Sequence, residues 1–440
     1  MKAKIIKLKN GGVLIYEKTN LNNCSAVEVG FSVGAFNEKK PGTAHMLEHT
    51  LFKKTKKRSN SDVERDRNKI TFLNASTSMD YIILKFFRTN KLFDESLEFS
   101  YDVLMNSILD DEYHETEKGV ITEELNMCKG NEERDVCVKN FKQATSISKF
   151  ASDIVGGNQS NISAIKFKDL QNFKNKHFVG NNFIVSVVSS LPLFKVKKKI
   201  NNLFVKNIPY DGSYQKMPSY YDLNVIDKPS SLKIFKNEQE KISFMISIRI
   251  DVDEIGIFAK DYNYNFVAKY LSGSQGGLFL RLRNKGLVYR FETNISSFKD
   301  KSLFNIAFET SKEKIKEILE LVAEEIKFVT TNLIDEKYIE SYKKNLEYFA
   351  DEKMPLRVPV KCSYNLMDYL SFGKVFKLSK RQKKALRAGV SPQRVQETAK
   401  KIFNKENPIY VTALGNITKK YIPDISYFTE KFLVEGNSNG

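Results

Sequence analysis

The chain has no tryptophan, only four cysteines and four histidines, and ten prolines in 440 residues. Cys24, Cys128, Cys137 and Cys362 form no CxxC pair and lack the density of a disulfide scaffold, which points to a reducing, cytoplasmic setting. No apolar run approaches the roughly 18 residues of a membrane span. The start, MKAKIIKLKNGGVLIYEK, lacks the apolar stretch and small cleavage-site residues of a secretory signal. No membrane partner is therefore expected.

Acidic residues are also short relative to basic ones, 53 against 71, leaving a net charge of +18. Such a balance makes nucleic acid, an acidic membrane surface or acidic substrates worth weighing. The basic residues cluster only at Lys53 to Arg58, Lys195 to Lys199 and Lys380 to Arg387. They lack the interleaved aromatics of a single-strand binding track. Abundant asparagine, isoleucine and phenylalanine suggest a coding bias that raises lysine everywhere, so a solvated basic surface is expected and nucleic acid is not an expected partner.

What is present is the composition of a globular protein, 41% hydrophobic and 28% charged, in a chain long enough for two cores. Alternating apolar residues in GGVLIYEK and CSAVEVGFSVGAF predict strands, and helical character starts at Thr43. ITFLNASTSMDYIILKFF reads as strand. Helices are predicted through Leu92 to Ile108, from about Asp111 to Met127, and from near Ser163, before a buried strand NNFIVSVVSS. Residues 208–231, with three prolines and four tyrosines, have no helical period and read as a linker. Beyond them the order recurs and closes on NPIYVTALGN, a counterpart of NNFIVSVVSS. The fold class is α+β, in two similar halves: residues 1–208, a linker over 209–231, and residues 232–440.

The chemistry starts in HMLEH. His45 and His49 are four residues apart, about 40° apart around a helix axis, so both imidazoles can converge on one point. Glu48 lies on the same side. A catalytic zinc takes three protein ligands and leaves a fourth position for water, and a free carboxylate beside that water can accept its proton. The bland alternative is a pair of surface histidines on an amphipathic helix, and a third ligand has to decide. The candidates lie in DEYHETEKGVITEELNMCKG. On a helix, Glu117 and Glu124 face nearly the same way, being seven residues apart, whereas Glu123 is turned about 100° from Glu124. Spacing alone leaves Glu115, Glu117, Glu123 and Glu124 all open. Gly119 interrupts this helix at a cost of about 1 kcal/mol relative to alanine. His114 offers no second metal site, and His177 is expected as a packed or surface residue.

PGTAHMLEHTLFKKTKKRS, FLNASTSMDY and EKGVITEELNM together resemble the inverted zinc-motif metallopeptidases of the M16 group, which includes pitrilysin and the mitochondrial processing peptidases, and in particular their short-subunit branch. The resemblance covers nearly the whole chain. It implies the LuxS/MPP-like metallohydrolase fold: two homologous α+β domains, each a mostly antiparallel sheet packed with helices, forming half of a clamshell. It further implies a zinc endopeptidase with one Zn2+ per chain, bound by His45, His49 and Glu124, with Glu48 as general base and Glu117 orienting a histidine. The edge strand containing Asn74, Ala75 and Ser76 would take up an extended peptide by strand addition. SGSQGGLFLRLRNKGLVY resembles the segment with which the second domain grips substrate carbonyls, at Arg283 and Tyr289. The family often has one more residue between these two, so Arg281 remains a candidate. The substrates implied are short or unfolded peptides, a leader or processing peptide among them, cleaved in a dimeric chamber. A homodimer is expected because both residue sets are present. The alternatives are the catalytic subunit of a heterodimer and a non-catalytic partner subunit. The basic run after the zinc motif, KKTKKRS, is expected to be a solvated loop.

Overall fold

Alternation of apolar residues becomes strand pairing over both halves of the chain. A computed structural model describes residues 3–70, 73–128, 132–145, 155–217, 219, 228–251, 261–273, 277–297, 301–349, 356–376 and 380–435. Strands β1 (Lys4–Lys7), β2 (Val13–Lys18), β3 (Cys24–Phe31), β4 (Asn74–Thr77), β5 (Ile82–Thr89) and β6 (Phe183–Ser189) form one sheet in the order β1-β2-β6-β3-β5-β4. Only β2 and β6 run parallel; the other pairs are antiparallel. The single strand expected over Ile70 to Phe87 is instead a hairpin, turning between β4 and β5.

Strands β7 (Ser231–Lys236), β8 (Ile242–Asp251), β9 (Phe291–Ser297), β10 (Lys301–Thr310) and β11 (Ile409–Gly415) make a second sheet, ordered β7-β11-β8-β10-β9. Its one parallel pair is β7 with β11. Strand for strand this repeats β2-β6-β3-β5-β4, so the chain carries the same α+β topology twice.

In the first half, β3 leads to helix α1 (Thr43–Leu51) and then α2 (Asn60–Lys69). After β5 come α3 (Phe93–Asn106), α4 (Asp111–Cys128) and α5 (Glu132–Thr145). In the second half, β8 leads to helices Tyr262–Ser272 and Gly277–Asn284. After β10 come Ile315–Thr331, Glu336–Phe349 and Arg357–Phe372. The helix expected near Ser163 begins at Phe167, where Asp169 accepts a hydrogen bond from Lys166 N at 2.8 Å; Ser163 belongs to a separate short helix, Gln159–Ala164. The predicted α4 is continuous through Gly119, which is exposed with open space where a Cβ would stand.

The compact units are not the linear halves, so the 1–208, 209–231 and 232–440 division is redrawn. The first unit comprises Met1–Lys129, Ser152–Asp222 and Asp351–Lys377; the second comprises Gly130–Ala151, Leu223–Ala350 and Leu378–Gly440. The reason is sheet burial. In the first sheet Leu14, Tyr16, Val27 and Val29 face the main core with α1 and α3, while Ile15, Ala26, Ile83 and Val188 on the opposite face pack against Val358, Cys362 and Leu366 of helix Arg357–Phe372. That face also carries Glu17 and Glu28. Asn365 Nδ2 donates to Glu17 at 3.1 Å, and the Ser363 hydroxyl donates to Glu28. In the second sheet the reverse face, with Met245 and Leu414, packs against Val136 of α5. Asn140 Nδ2 of α5 donates to Met245 O at 3.2 Å and Tyr410 O at 3.0 Å. Each half of the sequence thus supplies the helix that covers the other half's sheet. Without that cover, one face of each sheet would leave its apolar alternate residues in water.

Candidate metal centre

Helix α1 starts at Gly42, whose φ of +91° is a left-handed conformation that glycine adopts without steric cost. A Cβ there would come within 2.8 Å of both Gly156 O and Ile162 Cδ1. The buried Glu38 carboxylate accepts hydrogen bonds from Gly42 N at 2.6 Å and Ala44 N at 2.8 Å, satisfying free amides at the helix N-terminus where negative charge is favoured. Ala44, Met46, Leu47 and Leu51 bury one side of α1 in the core. His45, Glu48 and His49 are left on the partly exposed side.

Helix α4 crosses that side. Of its four candidate glutamates, Glu115 is exposed and paired with Lys118 at 2.7 Å, and Glu123 is exposed. Glu117 is buried, and Glu124, half-exposed, reaches towards α1. Glu124 Oε2 lies 3.5 Å from His49 Nε2 and 3.8 Å from His45 Nε2. The three ligand atoms fall within 4.8 Å of one another, the one such group among the described residues. Tetrahedral zinc with bonds near 2.0 to 2.1 Å holds neighbouring ligand atoms about 3.4 Å apart. Two imidazole nitrogens and a carboxylate at this spacing fit the ion in chemistry and in size.

Glu117 engages the other nitrogen. His49 Nδ1 donates to Glu117 Oε2 at 2.9 Å, which leaves the Nε2 lone pair for a metal. Lys53, just past the C-terminus of α1, pairs with Glu117 Oε1 at 2.6 Å. Burial pushes the Glu117 carboxyl up, but the hydrogen bonds from His49 and Lys53 outweigh it and hold the group below its ordinary value. Glu48 is not one of the three; its Oε2 accepts a hydrogen bond from the Thr77 hydroxyl of β4 at 2.7 Å. Asn74, Ala75 and Ser76 precede Thr77 on β4, which among the described residues is an edge strand paired only with β5.

Lys53 and Thr77 carry no spacing signal of their own; each is recognised by what it reaches from a distant segment. The basic run after α1 is likewise not a solvated loop throughout. The Arg58 guanidinium donates to buried Asp102 and, through Nε, to Asp66 at 3.1 Å, and lies 5.5 Å from the Phe99 ring centre. Thr55 Oγ1 donates to Asp102 at 2.7 Å. His114 is buried against Ile165 O at 3.0 Å. His177 is packed beside Phe173 and Tyr214, and its burial pushes the imidazole down to about 4. Neither joins the metal group.

Arg281, Arg283 and Tyr289 belong to the second unit. Arg281 is engaged by buried Glu325 and lies 3.7 Å from Glu324. Arg283 is exposed, over the Phe279 ring at 6.0 Å, with no ion pair among the described residues. Tyr289 is 87% exposed, just ahead of β9. Of the two arginines, Arg283 is the one free to meet a ligand. The glycine loop before them lies partly outside the described residues.

Comparison with known proteins gives the same order of parts. A family model described as insulinase (peptidase family M16) matches residues 13–155, which hold the three-ligand group, Glu48 and Glu117. A second, described as the peptidase M16 inactive domain, matches residues 164–346, which hold Arg283 and Tyr289. The mitochondrial-processing peptidase subunit beta of Rattus norvegicus is 30% identical over 195 residues, 43% of this chain and only 39% of that subunit's length. An uncharacterized zinc protease of Bacillus subtilis (strain 168) is 22% identical over 350 residues, 77% of this chain and 81% of that protein. Among solved structures, a protease from Helicobacter pylori shares the fold with a TM-score of 0.77 at 18% identity, covering 94% of this chain and 99% of that one. A peptidase M16 inactive domain structure from Pseudomonas fluorescens does so at 0.74 and 14% identity, covering 95% and 98%. With both M16 domains matched in sequence order over a repeated α+β topology, the chain belongs to peptidase family M16.

Proposed function

We propose that this protein is a zinc-dependent endopeptidase acting on short or unfolded peptides. The observation that carries the reading is the convergence of His45 Nε2, His49 Nε2 and a Glu124 oxygen on one point, beside a glutamate, Glu48, that is not part of the ligand group. When bound there, zinc supplies Lewis-acid chemistry, polarising a carbonyl and lowering the pKa of water towards about 7.

The chain's own residues supply the rest. Glu48 takes a proton from the attacking water as its oxygen bonds to the scissile carbonyl carbon. The same carboxyl then gives that proton to the amine nitrogen as the C–N bond breaks. Glu117, held charged by Lys53, fixes the His49 ring and its tautomer. The edge of β4 offers unpaired backbone groups to an extended peptide, a mode of capture that tolerates varied side chains. Arg283 and Tyr289 are the groups we assign to gripping substrate carbonyls.

A two-chain chamber is part of the proposal, a homodimer in the first instance. The beta-subunit relatives favour a second form, in which this chain is the catalytic member of a heterodimer; the mass of the native particle distinguishes the two.

The test is metal analysis together with Glu48→Gln. The expected result is one zinc per chain in both proteins and a loss of about 100-fold or more in cleavage of an unstructured reporter peptide. Wild-type protein without zinc, cleaving the reporter as well as Glu48→Gln does, overturns the reading.

A further inference from the structure

Thr77 joins the two parts of the site that the proposed function uses separately. It ends β4, opposite Ile82 of β5, and β4 is the last strand of its sheet. Side chains alternate along a strand, so Thr77 shares a face with Ala75, which packs against the core that holds α1, while Asn74 and Ser76 point to the other face. From there its hydroxyl donates to Glu48 Oε2 at 2.7 Å. An ionised carboxylate only accepts hydrogen bonds, so the hydroxyl proton is committed to Glu48. Among the described residues no protein donor is bonded to the second oxygen, Oε1. A glutamate side chain on a helix has three rotatable bonds, and one fixed oxygen removes most of that freedom.

We propose that Thr77 is the positioning residue for Glu48, and that it couples occupation of the β4 edge to the general base. The inference rests on the peptidase reading for its catalytic consequence. The hydroxyl holds Oε2 and leaves Oε1 as the oxygen that exchanges the proton. A peptide strand added to the open edge of β4 pins the backbone at residue 77 and, through the hydroxyl, the carboxylate. Substrate bound along the edge strand therefore meets a base already set in place.

The test compares Thr77→Val, which keeps the β-branched shape and removes the donor, with Thr77→Ser, which keeps the donor. The expected kcat of Thr77→Val is lower by roughly tenfold to a hundredfold, with KM within about twofold of wild type, and Thr77→Ser recovers most of the rate. Zinc stoichiometry is expected to be unchanged in both. In crystals of the metal-free proteins, Glu48 is expected to leave its wild-type position in Thr77→Val and to keep it in Thr77→Ser. An unchanged kcat in Thr77→Val, a loss confined to KM, an equal loss in Thr77→Ser, or an unmoved Glu48 overturns the proposal. If wild-type protein shows no zinc-dependent cleavage, the peptidase reading fails, while the crystallographic comparison still decides whether Thr77 holds Glu48.

Discussion

The two sheets are built alike and, among the described residues, only the first has the His45, His49 and Glu124 group beside it. Helix α1 follows β3 as helix Tyr262–Ser272 follows β8. In α1 the core takes Ala44, Met46, Leu47 and Leu51, leaving His45, Glu48 and His49 on a face crossed by α4. In its counterpart Tyr264, Phe266, Val267, Tyr270 and Leu271 are buried, and there is no histidine. All four histidines precede residue 178. The contrast teaches that the topology supplies the crossing of helices, whereas the residues on the crossing faces decide whether it is a core or a site. A second pair of corresponding helices, Phe167–His177 and Pro392–Ile402, makes the same point with buried residues. Both have 11 residues, so Lys174 and His177 stand where the second unit has Ala399 and Ile402.

The largest test of this comparison is to cut the chain within the interval 209–231. If the halves were autonomous copies, each would fold alone. Because residues 130–151 and 351–377 belong to the opposite units, each fragment is expected to lack the helix covering one sheet face and to fail to fold alone, with soluble α+β signal returning only on co-expression. The faces exposed include Ile15, Ile83 and Ile184, which pack on Leu366; truncating one such residue typically costs about 2–5 kcal/mol. Circular dichroism and thermal melts of each fragment check this, and a cooperative melt of residues 1–208 alone breaks the exchange argument.

Next comes the support of His49, the proposed ligand, which the second unit has no histidine to need. Glu117→Gln is expected to weaken zinc binding by about 10- to 100-fold, as loss of a charged partner to a ligating histidine commonly does. Lys53→Met is expected to weaken it less, since Glu117 keeps its bond to His49. Chelator competition measures both, and equal affinity in all three proteins removes Glu117 from the site.

The smallest expected effect concerns Lys174. It is buried with the hydroxyl and carbonyl of Ser107 as partners, and burial, aided by Lys56, pushes its ammonium down to about 8. The folded state therefore binds fewer protons than the unfolded state between about 8 and the ordinary lysine value of 10.5. Stability from this group rises with pH across that window, and below it the buried charge is at its most costly. Lys174→Met, which brings the position closer to its alanine counterpart, is expected to be more stable than wild type at pH 7 by on the order of 1–3 kcal/mol, an advantage that shrinks towards pH 10. Denaturant midpoints at the two pH values measure it. A constant difference means that the ammonium is not desolvated as the structure implies.

Strand alternation and helix period were readable over most elements, because both are local. The hairpin inside Ile70 to Phe87 was not, since its turn, Ser78 to Tyr81, has no glycine or proline to mark it. Helix α2 was hidden by its polarity: among its ten residues only Val63 is buried, and its start is set by a capping box between Ser59 and Asp62. The basic run before it looked solvated because charge is read as exposure, yet Arg58 and Lys53 meet buried carboxylates from α3 and α4.

The sequence by itself put the candidate ligands His45 and His49 on one side of α1 with Glu48, because residues within five positions need only one turn of helix to share a side. It also determined the family. Only the tertiary structure decided which glutamates reach the histidines, since that depends on how α4 passes α1. The same holds for Lys53 and Thr77, whose partners are 64 and 29 residues away, and for the exchange of covering helices between sheets. Contacts of that separation are set by packing of whole elements, which no local pattern encodes.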